Sequence, residues 1–190
     1  MEFVGFQKIP RLSREVIITE KIDGTNAQLF VADDRAPITL QSGRVVPFLC
    51  GSRNRWIFPE NDNRGFAKWA YENAASVLEL LGPGRHFGEW WGKGIQRGYG
   101  LNEKRFSLFN TTRWADQPLP PGCFVVPTLY TGLFDTKNIL EVMGLLLADG
   151  SAAAPGYNKP EGIVVFHTAG NCMFKKTIEH DEQPKGLVEA

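Results

Sequence analysis

Short apolar runs bounded by turn-forming residues recur along the whole chain of 190 residues. The runs are rich in Val, Ile, Phe and Trp, and Gly, Pro, Asp or Asn flank them, which is the usual pattern of β-strands. The pattern predicts strands at residues 16–20, 27–32, 44–49, 86–91, 106–110, 124–126, 162–167 and 172–178.

Two segments have the helical period instead. Within residues 63–81 apolar positions recur at about 3.6-residue spacing, and Gly82-Pro83-Gly84 ends the helix. Residues 136–147 repeat the pattern, with Asp135 as the expected N-cap and Gly150 near the end. Many strands with two separate helices predict an α+β fold with mainly antiparallel sheets and flanking helices.

The composition is that of a globular chain with a sizeable core, because 43% of the residues are hydrophobic and 12% are aromatic. No linker or repeat interrupts the chain, so we expect one domain over residues 1–190. Cys50, Cys123 and Cys172 are odd in number and far apart, which fits neither a disulfide framework nor a zinc site. The N-terminus lacks the features of a signal peptide, and the apolar runs are too short to cross a bilayer. We therefore expect a cytoplasmic protein without a membrane partner.

Charge is balanced overall, with 21 Lys plus Arg against 21 Asp plus Glu, which argues against a uniformly basic nucleic-acid binder. The charged residues are, however, unevenly distributed along the sequence. Residues 85–113 carry six basic and two acidic side chains with aromatic residues between them, and residues 44–59 carry three arginines and no acid. Such a tract is either an ordinary solvated face or a local phosphate-binding groove.

The first candidate for chemistry is Glu20-Lys21-Ile22-Asp23-Gly24-Thr25-Asn26, directly after an apolar strand. A lysine at the end of a buried strand, before a glycine turn, can be held at the floor of a cleft as a nucleophile. The alternative is a hairpin that bends at Asp23-Gly24 and leaves Lys21 exposed.

Five more short segments follow in order: Ser52-Arg53-Asn54-Arg55, Phe87-Gly88-Glu89-Trp90, Phe106-Ser107-Leu108-Phe109, Pro160-Glu161-Gly162-Ile163-Val164-Val165 and Met173-Phe174-Lys175-Lys176. With the first segment, they resemble motifs I, Ia, III, IIIa, IV and V of the covalent nucleotidyltransferase superfamily, the polynucleotide ligases and mRNA capping enzymes. Glu20 followed by Lys-x-x-Gly-Thr-Asn most resembles the ATP-dependent RNA ligases that seal nicked duplex RNA.

The resemblance implies an ATP-grasp-like adenylyltransferase fold and a three-step reaction with ATP and Mg²⁺ or Mn²⁺ as cofactors. Lys21 would take AMP from ATP, pass it to the 5′-phosphate of a nucleic acid, and a 3′-hydroxyl would then displace AMP. An ordinary lysine must give up its proton first, at a cost of about 4.6 kcal/mol at pH 7. Lys175 and Lys176 would supply positive charge near the α-phosphate. These adjacent lysines point to opposite faces of a strand, so which of them serves stays open, and Thr177 is a candidate for the place of the family's second lysine.

The remaining assignments also rest on the resemblance. Glu89 and Glu161 would bind the metal and the nucleotide, although a glutamate beside a glycine is often a solvated turn residue. Glu20 would accept a hydrogen bond from the adenine amino group, and Phe109 would stack on the base unless it packs in the core. The other contacts expected with the nucleotide or the nucleic acid come from Asp23, Asn26, Arg53 and Arg55.

The sequence therefore predicts an ATP-dependent RNA ligase that joins 5′-phosphate and 3′-hydroxyl ends of nicked or broken RNA, with DNA as the alternative substrate. It predicts a minimal domain without a C-terminal oligonucleotide-binding domain, so a separate nucleic-acid-binding partner is a further expectation. The alternatives are a DNA ligase catalytic core, a guanylyltransferase, and a catalytically silent nucleic-acid-binding module of the same fold.

Overall fold

The structure, a computed structural model, describes residues 1–62 and 64–182. The described residues fall into two compact units. The first unit contains residues 1–21 and 127–182, and the second contains residues 22–62 and 64–126.

The described residues contain twelve strands and four α-helical segments. The strands are β1 (Glu15–Lys21), β2 (Thr25–Val31), β3 (Ile38–Thr39), β4 (Val45–Val46), β5 (Leu49–Gly51), β6 (Trp56–Ile57), β7 (Gly84–Gly92), β8 (Lys104–Leu108), β9 (Cys123–Val125), β10 (Thr128–Leu133), β11 (Gly162–His167) and β12 (Cys172–Thr177). The helices are α1 (Phe66–Glu72), α2 (Ala74–Ser76), α3 (Thr111–Trp114) and α4 (Thr136–Asp149), with 3₁₀ turns at Pro59–Asn61 and Gly98–Gly100 and a π-helical turn at Val77–Leu81. None of the helices in this part of the chain is long and apolar enough to span a membrane.

In the first unit, four antiparallel strands form a sheet in the order β10-β1-β11-β12. Apolar residues of α4 pack on one face of this sheet, because alternate residues of β1 and β11 turn their side chains toward the helix. The Asp135 carboxylate caps α4 by accepting a hydrogen bond from the Lys137 backbone N–H at 2.8 Å, as expected from the sequence. The core of the unit consists of Val16, Ile18, Val142, Met143, Leu146, Ile163 and Val165.

In the second unit, six strands form a sheet in the order β6-β5-β2-β7-β8-β9, with only β8 and β9 parallel. One face is covered by α1 and the segment after it, and Ala27 and Leu29 of β2 are buried there. The alternate residues Asn26 and Gln28 therefore lie on the opposite face. That second face carries most of the unit's candidate functional side chains.

The α+β class with antiparallel sheets is confirmed, but several element boundaries differ. The predicted strand 44–49 is two strands, β4 and β5, because Pro47 lacks the N–H that a continuous ladder would need. The predicted strand 106–110 ends at Leu108, and Asn110 instead caps α3 by accepting a hydrogen bond from the Arg113 N–H at 3.0 Å. The predicted helix 63–81 begins at Asn63, which lies outside the described residues, and α1 begins at Phe66.

Candidate active site

Lys21 ends β1 and forms an ion pair with Glu161, the residue directly before β11. The pairing follows from the sheet register, because Lys21 lies opposite Gly162. The Lys21 side chain is 17% exposed, and that of Glu161 is buried. Because β1 and β2 belong to different sheets, the alternative of a simple hairpin with an exposed Lys21 is wrong. Because Glu161 is buried, the alternative that it is a solvated turn residue is also wrong.

The register of β12 separates the two candidate lysines. Lys175 lies opposite Val164, which in turn lies opposite Thr19, two residues before Lys21. Directly opposed residues share a face, so Lys175 is on the face of the sheet that carries Lys21. Thr177 falls on the same face, across Gly162 from Lys21.

Lys176 lies on the other face of β12, opposite Ile163 and across it from Glu20. Its ammonium group is bound by the Asp181 carboxylate at 3.0 Å. Asp181 also accepts a hydrogen bond from the Thr177 backbone N–H at 2.7 Å, and these contacts lower its pKa, the backbone bond having the largest effect. The register therefore favours Lys175 over Lys176 as the lysine beside the nucleophile.

Glu20 is a buried carboxylate with both oxygens engaged. The Ser151 hydroxyl donates to Oε1 at 2.6 Å, and the Ala153 backbone N–H donates to Oε2 at 2.8 Å. Burial raises the pKa of this carboxyl group, and the hydrogen bonds oppose the rise only in part. Glu20 thus anchors the loop after α4, while its expected contact with adenine stays a prediction.

In the second unit, three residues expected at the nucleotide form one hydrogen-bonded chain. Asn26 lies directly opposite Glu89, and its side-chain amide donates to Glu89 Oε2 at 3.0 Å. The Arg53 guanidinium donates through Nε to Asn26 Oδ1 at 2.9 Å. Glu89 Oε1 accepts the Gly24 backbone N–H at 3.1 Å, so this buried glutamate is no solvated turn residue either. Arg55 instead donates to the backbone carbonyl of Asn61 at 3.3 Å.

The turn after Lys21 is held at Asp23 by two residues that sequence reasoning did not assign to the site. The Asp23 carboxylate pairs with Arg97 Nε at 3.1 Å, and its backbone N–H donates to the Tyr99 hydroxyl at 2.7 Å. The Tyr99 ring is buried and packs edge-on against Trp91, with ring centroids 4.9 Å apart. The basic, aromatic composition of residues 85–113 was the available signal, but it did not single out either residue.

Gly24 is required where it stands. A Cβ at this position would lie 2.5 Å from the Trp90 carbonyl oxygen and 2.9 Å from Glu89 Cγ. No side chain fits at such distances, so only glycine brings the turn close enough to β7 for its N–H to reach Glu89.

The two phenylalanines of the segment Phe106-Ser107-Leu108-Phe109 lie in different environments. Phe106 is fully buried in the core of the second unit, whereas Phe109 follows the end of β8 and is 39% exposed. The alternative that Phe109 packs in the core is therefore wrong. Its ring is exposed enough to stack on another group, and its contact with adenine stays a prediction.

The residues expected to bind the metal are of the right chemical type, since Mg²⁺ and Mn²⁺ bind carboxylate oxygens. Glu161 belongs to the first unit and Glu89 to the second. Among residues 1–62 and 64–182, no three His, Cys, Asp or Glu side chains form a cluster that could hold a metal ion. Mg²⁺ sites in proteins commonly combine one or two carboxylates with water and phosphate oxygens.

Comparison with solved structures shows the same fold in the RNA ligase of Naegleria gruberi. A mutant of that enzyme with ATP and Mn has a TM-score of 0.60 and 20% identity, and the match covers 87% of this chain and 50% of that one. The enzyme with PPi gives a TM-score of 0.58 at 21% identity, and a mutant with AMP and Mn gives 0.56 at 20%, with the same coverage. This chain thus spans about half the length of these relatives.

The sequence comparisons agree with the fold. No curated protein matches the chain. Residues 14–177, from just before β1 to the end of β12, match the model of a family described as RNA ligase. The chain therefore belongs to the RNA ligase family.

Proposed function

We propose that this chain is the adenylyltransferase part of an ATP-dependent RNA ligase, which joins 5′-phosphate and 3′-hydroxyl ends through a lysyl-AMP intermediate. The observation that carries the proposal is the half-buried Lys21, held by Glu161 at the end of β1 inside the segment that matches the family. The Naegleria ligase structures with ATP or AMP and Mn support a nucleotide and a divalent cation as cofactors.

In the first step, Lys21 Nζ attacks the α-phosphorus of ATP, a P–N bond forms, and the bond to the β-phosphate breaks to release pyrophosphate. The amine must lose a proton to become nucleophilic, and its contact with the Glu161 carboxylate supports Glu161 as the acceptor of that proton. A bound Mg²⁺ or Mn²⁺ would neutralise charge on the phosphates. Lys175, on the same sheet face as Lys21, supplies a further positive charge.

In the second step, an oxygen of the 5′-phosphate attacks the lysyl-AMP phosphorus, and the P–N bond breaks as Lys21 regains its proton. In the third, the 3′-hydroxyl loses its proton to water and its oxygen attacks the phosphorus of the 5′-phosphate, so that the new phosphodiester forms and the phosphoanhydride bond breaks to release AMP. We assign the chain formed by Arg53, Asn26 and Glu89 to holding phosphate and ribose oxygens, and Phe109 to stacking on the adenine.

The test is transfer of label from α-labelled ATP to the protein, followed on a denaturing gel. We expect ATP but not GTP to label the protein, Lys21→Ala to abolish the label, and Lys137→Ala, which removes an exposed lysine of α4, to retain it. Absence of label with ATP, or label that survives Lys21→Ala, would contradict the proposal. Label from GTP alone would favour a guanylyltransferase.

The nicked-duplex substrate, suggested by the Glu20 to Asn26 motif, is also a proposal. Matched nicked duplexes that carry a ribose or a deoxyribose at the 3′-hydroxyl end separate an RNA ligase from a DNA ligase core. Faster sealing of the ribose end is the expected result, and equal sealing would remove the RNA preference.

A further inference from the structure

The solvent-exposed face of the second unit's sheet carries a row of side chains that the proposed reaction does not use. The strand registers place Trp56 opposite Gly51, Gly51 opposite Gln28, and Gln28 opposite Phe87. These four residues therefore form one line across β6, β5, β2 and β7, on the face that also carries Asn26. Two large aromatic rings lie at the ends of the line, with Trp56 38% exposed and Phe87 51% exposed.

Gly51 lets the Gln28 side chain lie across the middle of this row, because a Cβ at residue 51 would lie 2.7 Å from Gln28 Cγ. A concavity lies between Gln28 and the loop that joins β5 and β6. The concavity has a volume of about 250 Å³ and is lined by Gln28, Arg53, Asn54, Arg55 and Trp56. Among the residues that the structure describes, none of those lining it is acidic.

Arg85 connects the aromatic rings with the concavity. Its guanidinium carbon lies 4.8 Å from the centre of the Phe30 ring and 5.4 Å from that of Trp56, and its Nη1 donates to Gln28 Oε1 at 3.1 Å. A guanidinium stacked on aromatic faces keeps its plane fixed while N–H groups at its edge can bind phosphate. Arg85, Arg53 and Arg55 therefore give this surface three cationic groups beside flat apolar rings.

We propose that this surface, defined by Trp56, Gln28, Phe87, Arg85 and the Arg53–Arg55 loop, binds an unpaired segment of the RNA next to the break. Arginines beside exposed aromatic rings suit single-stranded nucleic acid, because phosphates bind the cations and bases stack on the rings without sequence preference. Bases inside an A-form duplex are not available for such stacking. The inference rests on the proposed function for its choice of RNA, and it differs from the nicked-duplex proposal because it favours a break with an unpaired end over a fully paired one.

The test is fluorescence anisotropy with a labelled 12-nucleotide single-stranded RNA and a blunt RNA duplex of 12 base pairs, at several salt concentrations. We expect the single strand to bind more tightly. Trp56→Ala should weaken its binding at least about fivefold, whereas Trp56→Phe should retain most of it. Arg85→Lys keeps the charge but loses the planar stack, so it should weaken binding as well. Lys68→Ala is the charge control, because α1 covers the opposite face of the sheet, and it should bind like the unaltered protein.

Tighter binding of the duplex, or equal affinity of Trp56→Ala, Lys68→Ala and the unaltered protein, would overturn the inference. Thermal melting of each variant separates a lost contact from a lost fold, and Arg85→Lys supplies the reading if Trp56→Ala does not fold, since unchanged binding by Arg85→Lys would also overturn the inference. Failure here is distinguishable from failure of the proposed function, because ATP labelling of Lys21 requires no RNA. A protein that labels normally but binds RNA independently of Trp56 keeps the ligase proposal and loses this surface.

Discussion

The Lys21 side chain is bound by the Glu161 carboxylate, which in the proposed mechanism must release it before Lys21 attacks phosphorus. Glu161 serves both purposes in the proposed mechanism: it fixes the direction of the amine and is placed to take its proton. Neutralising Glu161 would remove both effects while keeping the size of the side chain. We therefore expect Glu161→Gln to slow single-turnover adenylation on the order of 10²-fold. Glu141→Gln, on α4, is the matched control, and an unchanged rate for Glu161→Gln would contradict this role.

Lys175 and Lys176 are adjacent in sequence but on opposite faces of β12. Because Lys175 shares the face of Lys21, we expect Lys175→Ala to slow adenylation on the order of 10²-fold. Lys176→Ala breaks the pair with Asp181 and should change the free energy of unfolding by about 0–1 kcal/mol, with a much smaller effect on the rate. Single-turnover kinetics and denaturant unfolding of both variants measure this difference. Slower adenylation by Lys176→Ala than by Lys175→Ala would refute the assignment of Lys175 that the strand register supports.

At the scale of elements, the turn between β1 and β2 depends on close contact with β7. Gly24→Ala would place a methyl group 2.5 Å from the Trp90 carbonyl oxygen, so we expect a loss of about 1–3 kcal/mol in the free energy of unfolding. Gly144→Ala, in α4, meets no atom within 4 Å and should stabilise the protein by up to about 1 kcal/mol. Urea unfolding compares the two, and equal effects would show that the close contact at Gly24 is absent.

The contact between β1 and the loop after α4 has a pH dependence, because the buried Glu20 has a raised pKa. The folded state holds this proton more tightly than the unfolded chain. The stabilisation from this bound proton is therefore present at pH values below the pKa of the unfolded chain, about 4.3. It is lost as the pH rises through the higher pKa of Glu20 in the folded protein. We expect the difference in unfolding free energy between the unaltered protein and Glu20→Gln to fall between pH 4 and pH 7. Glu15→Gln, on the same strand, is the control, and a difference that rises with pH would contradict the burial effect.

Local pattern predicted some of these elements and missed others for identifiable reasons. The N-cap at Asp135 and the strand that ends at Lys21 were predictable, because each adjoins apolar residues whose spacing is visible in the sequence. β10 was missed because its residues are only partly buried on both faces and include Gly132, so no apolar alternation marks it. The contact between Asp23 and Tyr99 joins residues 76 positions apart, which no local pattern reveals.

At the scale of the whole molecule, the arrangement into two units was not visible in the sequence, because no linker composition marks either boundary. The first boundary falls after Lys21, inside the most informative motif, and the second after Val126. The order of the motifs nevertheless predicted the family, since residues 14–177 match it. The balanced net charge also conceals a local cluster, because Arg53, Arg55 and Arg85 all lie near Gln28 and Trp56.

The most direct test of the proposed lysyl-AMP intermediate follows AMP from the protein to RNA. The protein is incubated with α-labelled ATP and a divalent cation, free nucleotide is removed, and RNA with a 5′-phosphate is added. We expect the label first to map to the peptide containing Lys21 and then to leave the protein and appear on the RNA 5′ end. Label that never forms at Lys21, or that stays on the protein when RNA is added, would contradict the proposal that Lys21 carries AMP and passes it to RNA.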